Sequence, residues 1–168
     1  MVTRDEWLDL VVGYVDCGDH DDPVRFRALV APGEPPSVAA SMAKMSTCGL
    51  FVRGLLAQLG AADARLVAPY RVGQVNSDIA AMAHEANAIR LLDEAEPGDI
   101  VMILGPEHVF VVESIDGDVW STIQGGERDQ YRDQVIERIE RHKRGGAFDG
   151  RPFYLCIDFD ALASKFLP

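Results

Sequence analysis

The hydrophobic period of this chain changes once, and that change constrains its fold more than any other feature. Up to about residue 90 the apolar residues recur at helical spacing. After the turn Glu96-Pro97-Gly98-Asp99 they run in short blocks or alternate, as strands do. The later blocks are Ile100 to Leu104, His108 to Glu113, Val119 to Gln124 and Phe153 to Asp158, with an Asp116-Gly117-Asp118 hairpin signal between the second and third. Helices therefore precede a mostly antiparallel sheet, which is an α+β arrangement. At 168 residues the chain suits one domain, 1–168, with residues 1–36 as an N-terminal helical extension.

Local signals place the helices. Thr3 and Glu6 form a capping box ahead of Trp7, Leu8, Val11, Val12 and Val15, so a first helix is expected to end near Cys17-Gly18. A short apolar run, Phe26 to Val30, precedes the breaker Pro32-Gly33-Glu34-Pro35-Pro36. Val38, Ala39, Met42 and Met45 suggest one short helix. Ser46 and Thr47 then offer capping side chains for a strongly apolar second one, Gly49 to Leu59, closed by Gly60. Asn76 or Ser77 caps a helix running to about Ala88, and Phe159 to Phe166 forms a closing helix. Val135 to His142 fits a helix or a strand.

Charge and composition exclude several functions. A net charge of −11 repels phosphate backbones, so neither nucleic acid nor an anionic membrane is expected as a partner. The basic residues Arg138, Arg141, His142, Lys143 and Arg144 are interrupted by Glu137 and Glu140 and read as a solvated face. No apolar stretch approaches the roughly 20 residues of a membrane span. The acidic start, Asp5 and Glu6, does not resemble a secretory signal. Cys17, Cys48 and Cys156 lack the spacing of a disulfide framework or zinc site, and suit a reducing cytoplasm. No glycine-rich phosphate loop occurs, so no cofactor and no metal is expected.

The chemistry-bearing candidates are Cys48, His108 and Gln124. Cys48 falls in the first turn of its helix, where free N–H groups and the positive dipole end favour a thiolate and can later hold an oxyanion. The competing reading is a small buried core residue. His108 opens a strand with its ring toward a pocket while Val109 and Val111 alternate into packing. A base that titrates near neutrality is what a thiol nucleophile requires. Gln124 ends the next strand, where hairpin pairing brings it near His108, and its amide oxygen can orient the imidazole. Glu113 lies too far along the strand to reach back, whereas Ser121 and Glu107 remain open.

Together these segments resemble the papain-like cysteine amidohydrolases and peptidases of the CHAP and NlpC type. The resemblance rests on Ser46-Thr47-Cys48-Gly49-Leu50-Phe51-Val52-Arg53, on Glu96-Pro97-Gly98-Asp99-Ile100-Val101, on His108-Val109-Phe110-Val111-Val112-Glu113, and on Trp120 to Gln124. It covers residues 40–126, and Gly150 to Leu162 resembles the final strand and turn. His108 follows Cys48 by 60 positions and Gln124 follows His108 by 16, both compatible with that family. Its third position is commonly Glu, Asn, Asp or His, so Gln124 departs from the pattern. The resemblance implies a papain-like fold and attack by the Cys48 thiolate on an amide carbonyl, with His108 moving the proton. The substrates implied are peptide bonds of bacterial peptidoglycan. Acyl transfer, a non-wall amide substrate, and a non-catalytic binding module on a decayed hydrolase scaffold are the alternatives.

Overall fold

The computed structural model of the protein describes residues 2–69, 73–129 and 131–168. Its helices are α1 (Arg4–Val12), α2 (Pro23–Val30), α3 (Pro36–Met42), α4 (Cys48–Gln58), α5 (Val75–Glu85) and α6 (Phe159–Phe166). Its strands are β1 (Ile89–Arg90), β2 (Ile100–Ile103), β3 (His108–Asp116), β4 (Val119–Arg128), β5 (Gln134–Arg144), β6 (Ala147–Phe148) and β7 (Arg151–Ile157). The ambiguous segment around Val135 to His142 is thus strand. Its alternation places Ile136 among the helices and Arg141 on the opposite face.

Neighbouring strands pair antiparallel in the order β7-β2-β3-β4-β5-β6, and β6 pairs back to β7, closing a ring of six. The two-residue β1 adds only at the C-terminal end of β7. This closure overturns the papain-like α+β expectation of helices laid on an open, mostly antiparallel sheet. The protein is a closed six-stranded antiparallel β-barrel with its helices outside.

The physical cause lies in features that no period reveals. Register shifts at Met102/Ile103, Val112/Ser114 and Gln124/Glu127 bend the strands, as bulges do. Gly145, at φ +57°, then turns the chain into β6, the short strand that joins the two ends. Residue parity divides the barrel's apolar side chains. Val101, Ile103, Phe110, Val112, Trp120 and Phe148 fill the interior, whereas Ile100, Met102, Val109, Val111, Ile123 and Leu155 face the helices.

The first helix stops at Val12, short of the expected Cys17-Gly18. Asp16 N–H donates to the Ile136 carbonyl and Ile136 N–H to that of Cys17, at 2.8 and 2.9 Å, so the chain leaves the helix to pair with β5. The Thr3–Glu6 capping box is present, and Trp7 stacks on Phe159 with centroids 4.8 Å apart. Among the described residues, no helix is long and apolar enough to cross a membrane.

Candidate active site

Helix α4 begins where a barrel mouth meets a cleft, and Cys48 is its first residue. Thr47 stands at the N-cap, but neither it nor Ser46 supplies the expected capping side chain. The Thr47 hydroxyl turns to the Gln134 amide oxygen at 3.3 Å. The first-turn N–H groups have no helical acceptor by position, and Cys48, Gly49 and Leu50 of that turn line the cleft. Gly125 allows β4 to pass this close, and Gly126 beside it adopts a positive φ of +97°. A Cβ on Gly125 would lie 2.8 Å from the Thr47 carbonyl oxygen, and one on Gly126 3.7 Å from the Cys48 Cβ.

Strand parity turns His108 to the same face as Phe110 and Val112, at the end of β3, while Val109 and Val111 pack on the helices. Its ring is near enough to the Cys48 sulfur to favour the thiolate by hydrogen bonding and charge. Its Nε2 lies 2.8 Å from the Gln124 Oε1. Cys48, His108 and Gln124, drawn from one helix and two strands, are therefore brought together.

The Gln124 amide has one orientation here. Its Nε2 donates to the Glu127 carboxylate, and its Oε1 accepts from the Arg141 Nη2. An oxygen facing His108 at this distance accepts from a proton on the imidazole Nε2, which leaves Nδ1 as the nitrogen that can exchange a proton with the thiol. The Arg141 Nη2 stands 3.3 Å from the same Nε2, a longer approach between two donors.

Arg141 had been assigned to a solvated basic face, and this is corrected. It is 4% exposed, lies over the Phe110 ring at 4.7 Å and reaches Asp149 at 3.4 Å. Burial lowers its pKa from the ordinary arginine value. It shares its strand face with Ile139 and pairs with Trp120, which lies in the barrel interior.

Burial pushes the Cys48 thiol up, but opposing interactions outweigh it. The hydrogen bond and charge of His108, the Val109 N–H and the Asn76 amide bring it down to about 7. Cys156, deep in the barrel, is pushed up to about 12 by burial and by the neighbouring Asp99. Cys17 is also raised, chiefly by burial. All three are free thiols, yet only Cys48 is poised to ionise near neutrality.

Two of the alternatives for the orienting group are engaged elsewhere. Ser121 donates to Glu113 at 2.6 Å, and Glu113 pairs with Arg138. Glu107 is exposed at the cleft rim, and its backbone carbonyl lies 3.9 Å from the Cys48 sulfur. Asn76 had been considered only as a helix cap. Helix α5 instead starts at Val75 with Gln74 at its N-cap, two residues earlier, and the Asn76 Nδ2 points at the Cys48 sulfur from 3.8 Å.

The cleft has a volume of about 360 Å³ and is lined by Ser46, Cys48, Leu50, Asn76, Ser77 and Glu107 among others. That volume lies within the range of small-ligand sites. Among the described residues, no group of three or more His, Cys, Asp or Glu side chains is arranged to hold a metal ion. Comparison with protein-family models, with curated proteins and with solved structures finds no match to this chain.

Proposed function

We propose that the protein is a cysteine hydrolase that cleaves amide bonds, with Cys48 as nucleophile and His108 as general base. One observation carries this reading: a thiol at a helix N-terminus, brought down to about 7 despite burial, chiefly by the neighbouring imidazole, stands beside a ring whose Nε2 meets the Gln124 Oε1 at 2.8 Å. This arrangement supports assigning the roles of nucleophile, base and orienting group to these three residues.

The imidazole Nδ1 takes the thiol proton as sulfur attacks the carbonyl carbon. The oxyanion that forms is held by backbone N–H groups of the first helical turn, including that of Cys48. When the intermediate collapses, the C–N bond breaks and the leaving nitrogen receives the proton from His108. A thioester on Cys48 remains. Water, giving its proton to His108, then attacks the thioester and releases a carboxylic acid.

The motif order resembling CHAP and NlpC amidohydrolases favours peptides of peptidoglycan as the substrate. The three free thiols favour a reducing compartment such as the cytoplasm. Action on a cell wall from there needs a lysis or secretion route. The neutral Gln124, in place of a carboxylate, favours a second reading, a binding module without turnover.

Incubation with purified peptidoglycan, followed by mass analysis, tests the proposal. Expected are new peptide termini with the wild type and none with Cys48→Ala. Acylation of Cys48 by p-nitrophenyl acetate without wall digestion would redirect the substrate to another amide or to acyl transfer. Absence of both reactions would leave the binding module.

A further inference from the structure

We propose that Asn76 is a catalytic residue, the side-chain donor that holds the oxyanion formed on an acyl group bound to Cys48. The inference rests on the hydrolase reading above and adds a residue that the order of motifs does not indicate.

Space and direction both support it. The Asn76 Nδ2 approaches the Cys48 sulfur from 3.8 Å, and both residues line the same cleft. The amide fits there only because residue 49 is glycine: a Cβ on Gly49 would stand 1.9 Å from the Asn76 Oδ1. Nor is the amide occupied in capping its own helix, since α5 begins without a side-chain cap. Asparagine is a poor choice for a helix except where its amide has a local task, and here the amide is directed across to another helix.

The distance indicates which charge this donor serves. At 3.8 Å it contributes only a long, weak bond to sulfur. During attack, negative charge leaves sulfur and develops on the carbonyl oxygen, which stands further into the cleft. An oxyanion donor must lie about 2.7–3.1 Å from that oxygen, not from the nucleophile. Asn76 then binds the tetrahedral intermediate better than the resting thiolate, the condition for raising turnover rather than affinity. The Cys48 N–H, first in its helix, is the second donor, so the oxygen is approached from two elements.

The test separates this role from support of the thiolate or of the fold. The burst of Cys48 acylation by p-nitrophenyl acetate is measured for wild type, Asn76→Ala and Gly49→Ala. Alkylation of the same variants by iodoacetamide is measured at pH 9, where the thiol is ionised. Alkylation forms no oxyanion, whereas acylation does. Asn76→Ala is expected to slow acylation about 10²-fold and leave alkylation unchanged. Gly49→Ala keeps the asparagine but drives its amide aside, so it should reproduce the same split. Wild-type acylation rates in either variant, or equal losses in both reactions, would overturn the inference alone. Absence of a Cys48-dependent burst in the wild type would remove the hydrolase reading and this inference with it.

Discussion

At the scale of single residues, one chemical group behaves in three ways. Burial by itself raises a thiol, because it penalises the anion, and Cys17 and Cys156 follow that rule. Cys48 is buried as well, but His108, the Val109 N–H and Asn76 surround its sulfur with donors and charge. Iodoacetamide labelling of the native protein, mapped by peptide mass, should therefore be confined to Cys48. Its rate should rise through a midpoint of about 7 and level off about one pH unit above it. A midpoint near that of an ordinary thiol, or equal labelling of Cys17, would refute the environment described. At the same scale, the Gln124 amide oxygen meets the His108 Nε2 at 2.8 Å. Arg141 and Glu127 hold the two ends of that amide, so the oxygen cannot exchange places with the nitrogen.

Among the elements, α4 combines two demands. It is buried through most of its length, and it must bring its first residue to the barrel mouth. Its two interior glycines answer these demands separately. A Cβ on Gly49 meets the end of the Asn76 side chain, which can swing away. A Cβ on Gly54 would lie 1.8 Å from the Leu29 carbonyl oxygen, part of the α2 backbone. Alanine favours a helix over glycine by about 1 kcal/mol. Gly49→Ala should thus leave stability unchanged or slightly raised while acylation falls. Gly54→Ala should destabilise by about 1–3 kcal/mol in spite of that propensity, because α2 and α4 must separate. Urea denaturation of both variants checks the contrast, and equal effects would contradict the packing described.

Over the whole molecule, barrel closure and the anchoring of the chain ends are the main constraints. Phe148, in the two-residue β6, meets Phe110 and Trp120 edge-on, with centroids at 5.5 and 4.9 Å. Phe148→Ala should lower stability by about 3–5 kcal/mol and loosen the junction of β5 with β7. Thermal melting and hydrogen exchange in β6 are the measurements, and a loss comparable to that at a surface site would argue against a closed core. At the opposite end, Arg4 and Arg90 bind Asp99, Asp158 and Glu96, joining α1 to the barrel and to α6. Burial raises the Asp158 carboxyl, but the Arg90 hydrogen bond, the Ala161 N–H and the charges of Arg90 and Arg4 hold it below its usual value. A carboxylate depressed in the folded state stabilises above its unfolded pKa, about 3.9. That contribution is lost as pH falls through the folded value. Arg90→Met should consequently be less stable than wild type at pH 7, and the gap should narrow at pH 3. Unfolding midpoints at the two pH values decide this, since a constant gap would show that the pairing contributes nothing.

Several elements could be read from local chemistry. The Thr3–Glu6 capping box, the His108 strand, the turn at Asp116-Gly117-Asp118 and the helix from Phe159 each depend on neighbours a few positions away. The positions of Cys48 at a helix start and His108 at a strand mouth were legible for the same reason. Closure of the barrel was not, because it depends on bulges and on a two-residue strand too short to carry a period. Nor were the approach of Asn76 to the thiol and the clamping of Gln124 by Arg141 and Glu127. Asn76, Arg141 and Gln124 each have an ordinary local reading, as cap, basic face and strand end. The amino-acid sequence by itself determined most of the helices, the strands β2, β3, β4 and β7, and the side-chain types that can carry chemistry. Only tertiary structure decided that the sheet closes, and which distant amide and guanidinium meet Cys48 and His108, because those contacts join segments with no short-range interaction to favour them.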